Sequence, residues 1–352
     1  RLAFQRVLAS LADAYHQKNP DVVDQAQMVE IAISRAESFA GGSGEFSPQV
    51  SDEIVAAAVK MFDPENGGFG SAPKFPHPAV LDLLIDQYAR SGKENLRDVF
   101  VSTLEKMARG GVYDQLAGGF HRYSVDEHWI VPHFEKMCYD NSELLKNYVH
   151  AYQVTGAEFF AAVARDIVRW MDEWLSDRDH GGFYASQDAD YSMEDDGDYF
   201  TWTRAEMQAV LTEEEAAVAG LRYDVNEVGE MHHNPEKNVL YVRASLEEIG
   251  KRLGLTAERV QGILESARQK MYGARLKRPT PYVDKTVYVG WNSLCVSAYL
   301  EAAKVLKLDG ASHFALRSLY RALADAWQAE LCLPHVISFS DPAARPALVA
   351  GL

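Results

Sequence analysis

The chain has 352 residues, 47 % of them hydrophobic, and carries a formal net charge of −16. That is enough apolar material for one large domain or two ordinary ones, and the acidity disfavours nucleic acid and anionic membranes as partners. No apolar run approaches the ~18 residues of a membrane span, and Cys138, Cys295 and Cys332, without CxxC spacing, indicate neither a disulfide framework nor a zinc cluster.

A reducing, cytoplasmic setting without a cofactor is therefore expected. The chain opens at Arg1 inside an amphipathic pattern and closes on Leu352 without a stop signal, as a segment of a longer protein would. Residues 1–40 read as two helices, with Asp21 after Pro20 as a capping signal. "GGSGEFSP" (41–48) marks a linker over 41–50, leaving 51–352 as the main domain.

Three stretches of that domain look alike: "DPENGGFG" (63–70), "DQLAGGFHR" (114–122) and "DRDHGGFYA" (177–185). Their Gly-Gly-Phe triplets begin at Gly67, Gly118 and Gly181, intervals of 51 and 63 residues, which suits a helical hairpin plus its loops. Between them the apolar period is helical: Leu96, Val99, Phe100, Thr103, Leu104 and Met107 form one stripe. Phe134, Met137, Cys138, Leu144, Leu145, Tyr148 and Tyr152 form another, and Phe160, Val163, Ile167, Trp170, Met171 and Trp174 a third. Trp291, Leu294, Cys295 and Ala298, then Phe314, Leu316, Leu319, Leu323 and Trp327, continue the pattern. Only "NVLYV" (238–242) and "DYFTWT" (198–203) read as strands. The expected fold is all-α: an incomplete (α/α)6 toroid of helical hairpins with short β pieces in its loops, a helical solenoid being the alternative.

"HRYSVDEHWIVPHFEKMCYDN" (121–141) concentrates the chemistry. Pro132 suits the start of a helix near His133. Along it Asn141 falls on the apolar stripe, so its amide must tie the helix to a loop or face a pocket. Lys136 and Asp140, at i and i+4, read as a helix-surface pair. His121 and His133, with Asp126 to orient one of them, are candidates for proton transfer, because imidazole titrates near neutrality; the alternative is that they hydrogen-bond backbone carbonyls in a glycine-rich turn. No HxH or HExxH pattern supports a metal.

In "SQDADYSMEDDGDYFTW" (186–202), Gln187, Asp188 and Asp190 follow a repeat loop as His121 and Arg122 do, and Tyr199 or Trp202 could stack on a sugar ring. The spacing is not that of an EF-hand. Lys74 and His77 in "APKFPHP", the pair His232 and His233, and Trp291 with Asn292 at a helix start are weaker pocket candidates. Walker, Rossmann and GxSxG motifs are absent, and Cys138 lacks a polarising partner.

"GGFGSAPKFPHP", "GGVYDQLAGGFHRYSVDEHWIVPHFEKMCYDN", "SQDAD", the Asp-Gly-Asp-Tyr-Phe-Thr-Trp run and "DKTVYVGWNSL" together resemble the thioredoxin-fused family of spermatogenesis-associated protein 20 and YyaL-type proteins. The resemblance implies a thioredoxin-like domain followed by a six-hairpin barrel similar to N-acylglucosamine and cellobiose 2-epimerases. Residues 1–40 would then be trailing helices of that upstream domain, whose redox cysteines have no counterpart here. Departures are small: Cys138 stands at a Leu position, Ser142 at an Ala, Ala117 at a third Gly and Asp196 at a Glu.

The functional expectation is a carbohydrate-active barrel, a sugar epimerase or isomerase with His121, His133 and Asp126 in catalysis. Arg122, Tyr123, Trp129, Glu135, Asn141, Gln187, Asp188, Asp190, Trp202, Trp291 and Asn292 would hold the sugar. The alternatives are a glycoside hydrolase with a carboxyl pair, such as Asp126 with Asp188 or Glu135, and a non-catalytic module partnering its own thioredoxin-like domain.

Overall fold

The computed structural model describes residues 2–17, 20–37, 49–192, 195–326 and 334–340. The chain divides into two compact units, 1–52 and 53–352. The first holds α1 (Leu2–His16) and α2 (Pro20–Glu37), whose apolar residues, Leu8, Leu11, Val29 and Ile33 among them, are about half exposed. Residues 41–48 of the expected linker lie outside the described residues, and Gln49 and Val50 already belong to α3 (Gln49–Met61).

The second unit is built of helical hairpins. After α3 come α4 (Pro78–Ser91) with α5 (Glu94–Arg109), then α6 (Cys138–Thr155) with α7 (Glu158–Trp174), and last α12 (Val289–Leu306) with α13 (Asp309–Ala326). Helices α4, α6 and α12 pack side by side as an inner row, and each is backed by the helix that follows it. Such a double row is an arc of an (α/α)6 toroid, supplying three hairpins among the described residues. The hairpins close tightly because Gly92 and Gly156 end α4 and α6 in the left-handed region, where each glycine N–H bonds a carbonyl of the last turn.

Packing follows the apolar stripes. On α5 all six expected stripe residues are buried, and each large one contributes about 1.5–3 kcal/mol relative to exposure. On α12 the expectation fails in part: Trp291 is half-buried and Leu294 is exposed, sharing an open stripe with Gly290, Ser297 and Glu301.

Short strands carry the chain from α5 to α6 and from α7 to α12: β1 (Tyr123–Ser124) pairs with β2 (Pro132–His133), and β3 (Lys136–Met137), β4 (Ser186–Gln187) and β5 (Val283–Asp284) form a three-stranded sheet. The helix expected from His133 therefore starts only at Cys138, because pairing with Tyr123 and Gln187 holds the intervening backbone extended. β6 (Val287–Tyr288) pairs with β7 (Val336–Ser338). The two strands expected at 198–203 and 238–242 reduce to one bridge, Trp202 with Asn238. Trp327 lies outside the described residues.

Between β4 and β5 a four-helix insertion has its own core around Val218, Ile249, Val260, Ala267 and Met271. It comprises α8 (Arg204–Val210), α9 (Glu213–Tyr223), α10 (Leu246–Leu253) and α11 (Ala257–Arg275). Each starts on a Thr or Ser that accepts a backbone N–H, three of them in full capping boxes. Among the described residues no helix is long and apolar enough to cross a membrane.

Candidate functional site

The three Gly-Gly-Phe loops fold identically. The Asp four residues before the first glycine accepts that glycine's N–H at 2.8 Å and donates its own N–H to the second glycine's carbonyl at 2.9–3.0 Å. The Phe pairs with the residue preceding the Asp: Phe62 with Phe69, Tyr113 with Phe120, Ser176 with Phe183. Positive φ at both glycines makes this possible, and the second packs on a tryptophan in two loops, where a Cβ on Gly68 or Gly119 would lie 2.5 Å from Trp129 or Trp170. Each Asp side chain also caps the turn and meets a cation: Asp63 with Lys74 at 2.6 Å, Asp114 with Lys136 at 2.8 Å, Asp177 with Arg321 at 3.0 Å.

The middle hub is the most buried. Asp114 receives Lys136 and both Arg275 Nη atoms, at 2.8–2.9 Å, and all three side chains are at most 3 % exposed. Burial alone would raise the Asp114 pKa, but Arg275 and Lys136 hold it well below the usual carboxylate range. Burial pulls Lys136 down to about 8 against the attraction of Asp114. So Lys136 is not a surface partner of Asp140 but an interior cation that ties β3 to the second loop, to which Arg275 ties the insertion.

Several residues expected at the site are structural. His121 is buried, donates Nδ1–H to Phe134 O at 2.7 Å and stands edge-on to Phe134 and Phe200; burial, then the nearby Lys136 charge, pushes its pKa well down. An imidazole that resists protonation behind aromatic rings is badly placed for proton exchange with a substrate. Asp126 accepts the N–H groups of His128, Ile130 and Val131, knotting its own loop. His133 stacks on Tyr123, which stacks on Phe75, with centroids 5.1 and 4.8 Å apart. The two histidines and Asp126 therefore do not form a triad.

Trp129 and Trp202 are fully buried, the first donating its indole N–H to Asn66 O and the second under the Arg278 guanidinium. Asn141 clamps the second repeat loop, with Oδ1 accepting Phe120 N–H at 2.7 Å and Nδ2 donating to Phe120 O at 2.9 Å. Asn292 does the same to Phe183, at 2.6 and 3.0 Å. Gln187 is buried in β4; Asp188 and Asp190 accept the N–H groups of Ala189 and Gly197 in an acidic turn. Lys74 belongs to the first hub, His77 is exposed, and His233 pairs with Asp196.

What the fold does gather lies on the open side of the inner row, at the head of α6 and α12. Arg122 donates to the Tyr139 hydroxyl at 3.0 Å and lies 3.7 Å from Glu135 and 3.8 Å from Asp140. The Tyr139 ring meets Trp291 at 4.9 Å, and Trp291 meets Tyr288 at 4.4 Å, giving a half-buried aromatic wall. Asp140 Oδ2 is buried without a hydrogen bond. Burial, opposed by Arg122 and reinforced by Glu143 and Glu135, drives the Asp140 pKa up to about 7. Burial likewise raises that of Glu143, one turn further along.

Against curated proteins the chain is 34 % identical over 343 residues to human spermatogenesis-associated protein 20, covering 90 % of the chain, and 33 % identical over 342 residues to the rat protein of that name, covering 88 %. Its homologues are the spermatogenesis-associated protein 20 proteins. The chain spans 44 % of the length of the human relative and 43 % of the rat one. No family model matches. Among solved structures, cellobiose 2-epimerase from Spirochaeta thermophila aligns with a TM-score of 0.36 at 14 % identity, covering 82 % of this chain and 88 % of that one.

Of the candidates from the sequence, Arg122, Glu135 and Trp291 meet in this open face, and Tyr139, Asp140, Glu143 and Tyr288 join them unforeseen. A signal was available. Tyr139, Asp140, Glu143, Lys146 and His150 recur at helical spacing opposite the apolar stripe of α6, and the repeat makes α6 an inner helix, so that stripe faces the axis.

Proposed function

We propose that the open face at the head of α6 and α12 binds a sugar and exchanges a proton with it, in an epimerase or isomerase reaction, with Asp140 as the acid–base group. The observation that carries this reading is the Asp140 carboxyl, titrating near 7 with a hydrogen-bond-free buried oxygen. A group balanced at the working pH can both take and return a proton. The half-buried Tyr139–Trp291–Tyr288 wall suits the C–H faces of a sugar ring, and the Arg122–Tyr139 pair offers donors to a hydroxyl or to negative charge developing on a carbonyl oxygen.

The test is solvent deuterium incorporation at C2 of free sugars, followed by NMR. Asp140→Asn is expected to slow exchange by about 100-fold or more, and Tyr139→Phe by less. Wild-type rates in D140N would sink the assignment. Absence of exchange with any sugar in folded protein would favour a binding module that partners the thioredoxin-like domain of the whole protein. Glu143, a second carboxyl raised by burial, favours one further reading: a glycoside hydrolase would release reducing ends and lose activity in both D140N and Glu143→Gln.

A further inference from the structure

Deeper along the open face, three consecutive inner helices meet at one side chain. His150 of α6 places Nδ1 2.6 Å from Asp82 Oδ1 of α4 and Nε2 2.7 Å from Glu301 Oε2 of α12. We propose that His150 is a pH-operated clasp: protonated, it bonds both carboxylates and pins α4, α6 and α12 together; neutral, it can hold only one of them.

Proton count sets the switch. Carboxylates only accept, so both ring nitrogens must donate, and only imidazolium carries two N–H groups. Losing one proton turns a donor into a lone pair facing a carboxylate oxygen under 3 Å away, replacing a charge-assisted bond with repulsion. Around the ring stand Asp82 and, one turn on, Asp86 with its partner Arg90 from α4; Glu143 and Lys146 from α6; and Glu301 and, one turn on, Lys304 from α12. Glu301 keeps Lys146 at 3.6 Å, whereas Asp82 has no second cation within ion-pair distance among the described residues. The α4 contact is therefore the one released, leaving the Asn147 Nδ2 bond to Pro78 O at 3.1 Å as a hinge between those helices.

The electrostatics agree from both sides: the Asp82 bond raises the His150 pKa against the opposing effect of burial, with Glu301 adding to the rise, and the same bond lowers the Asp82 pKa. A histidine raised in the folded state stabilises fully below its unfolded pKa of about 6.5 and loses that contribution as pH rises through its folded value. The clasp is therefore closed at and below about pH 6.5 and opens only as pH rises through the raised folded pKa of His150. The clasp is independent of the sugar reading, since neither Asp140 nor a ligand enters it.

The test uses the full chain. Ring proton NMR, with the His150 signal assigned by its loss in His150→Gln, is expected to give an apparent pKa above about 6.5. In the double variant Asp82→Asn with Glu301→Gln it should fall to that value or below. Between pH 6 and pH 9 the Tm of wild type should drop by about 2–4 °C more than that of H150Q, and taking the difference cancels the Asp140 contribution common to both. A His150 pKa at or below about 6.5 in wild type overturns the proposal, as do parallel Tm–pH profiles for wild type and H150Q.

Discussion

Asp114 and Asp140 are both carboxyls largely removed from water, yet one is held ionised and the other is balanced near neutrality. Asp114 meets two cations at 2.8–2.9 Å, and their attraction outweighs the cost of burial, so it stays ionised. Asp140 has only Arg122, at 3.8 Å and shared with Glu135, and burial wins. Burial sets the penalty; the number and distance of the partners decide whether the residue becomes scaffold or a proton reservoir.

That contrast can be broken by mutation, most severely at the hub. Asp114→Asn strands two cations in the interior and should cost about 3–5 kcal/mol, read from the urea unfolding midpoint; a loss under about 1 kcal/mol would mean that the hub contributes little. Gly119→Ala puts a Cβ 2.5 Å from Trp170 at φ +75. It should cost about 2–4 kcal/mol from left-handed strain plus overpacking, measured the same way. Asn141→Ala leaves the Phe120 N–H and C=O without their partner, for about 1–3 kcal/mol, and Asn292→Ala should match it at Phe183.

The mildest change is expected at Asp140. With a folded pKa near 7 and an unfolded one near 3.8, Asp140 binds more protons folded than unfolded between those values, so its contribution falls as pH rises from about 4 to 7. Asp140→Asn removes that loss and should be more stable than wild type by about 1–2 kcal/mol at pH 8, allowing for solvent screening, with the gain vanishing towards pH 4. Equal stability of the two proteins at both pH values would show that Asp140 ionises at an ordinary pKa.

The hairpin period is legible in the residues alone, because Asp-x3-Gly-Gly-Phe is a local turn whose glycine conformations and Asp cap need nothing distant. So are the buried faces of α5 and α7, through helical spacing, and the clamping amide of Asn141, through the cost of burying it unpaired. What the residues leave open are the long-range partners. Lys74, Lys136 and Arg321 lie 11, 22 and 144 residues from the Asp each one meets, with no common spacing. Histidines crowded into one loop carry no mark of which side they face, so His121 entered the aromatic interior, while Asp140, an apparent surface residue, became the least solvated acid on the open face. Local backbone chemistry repeats along a chain and can be read there; solvation and charge pairing depend on which distant residues the fold brings alongside.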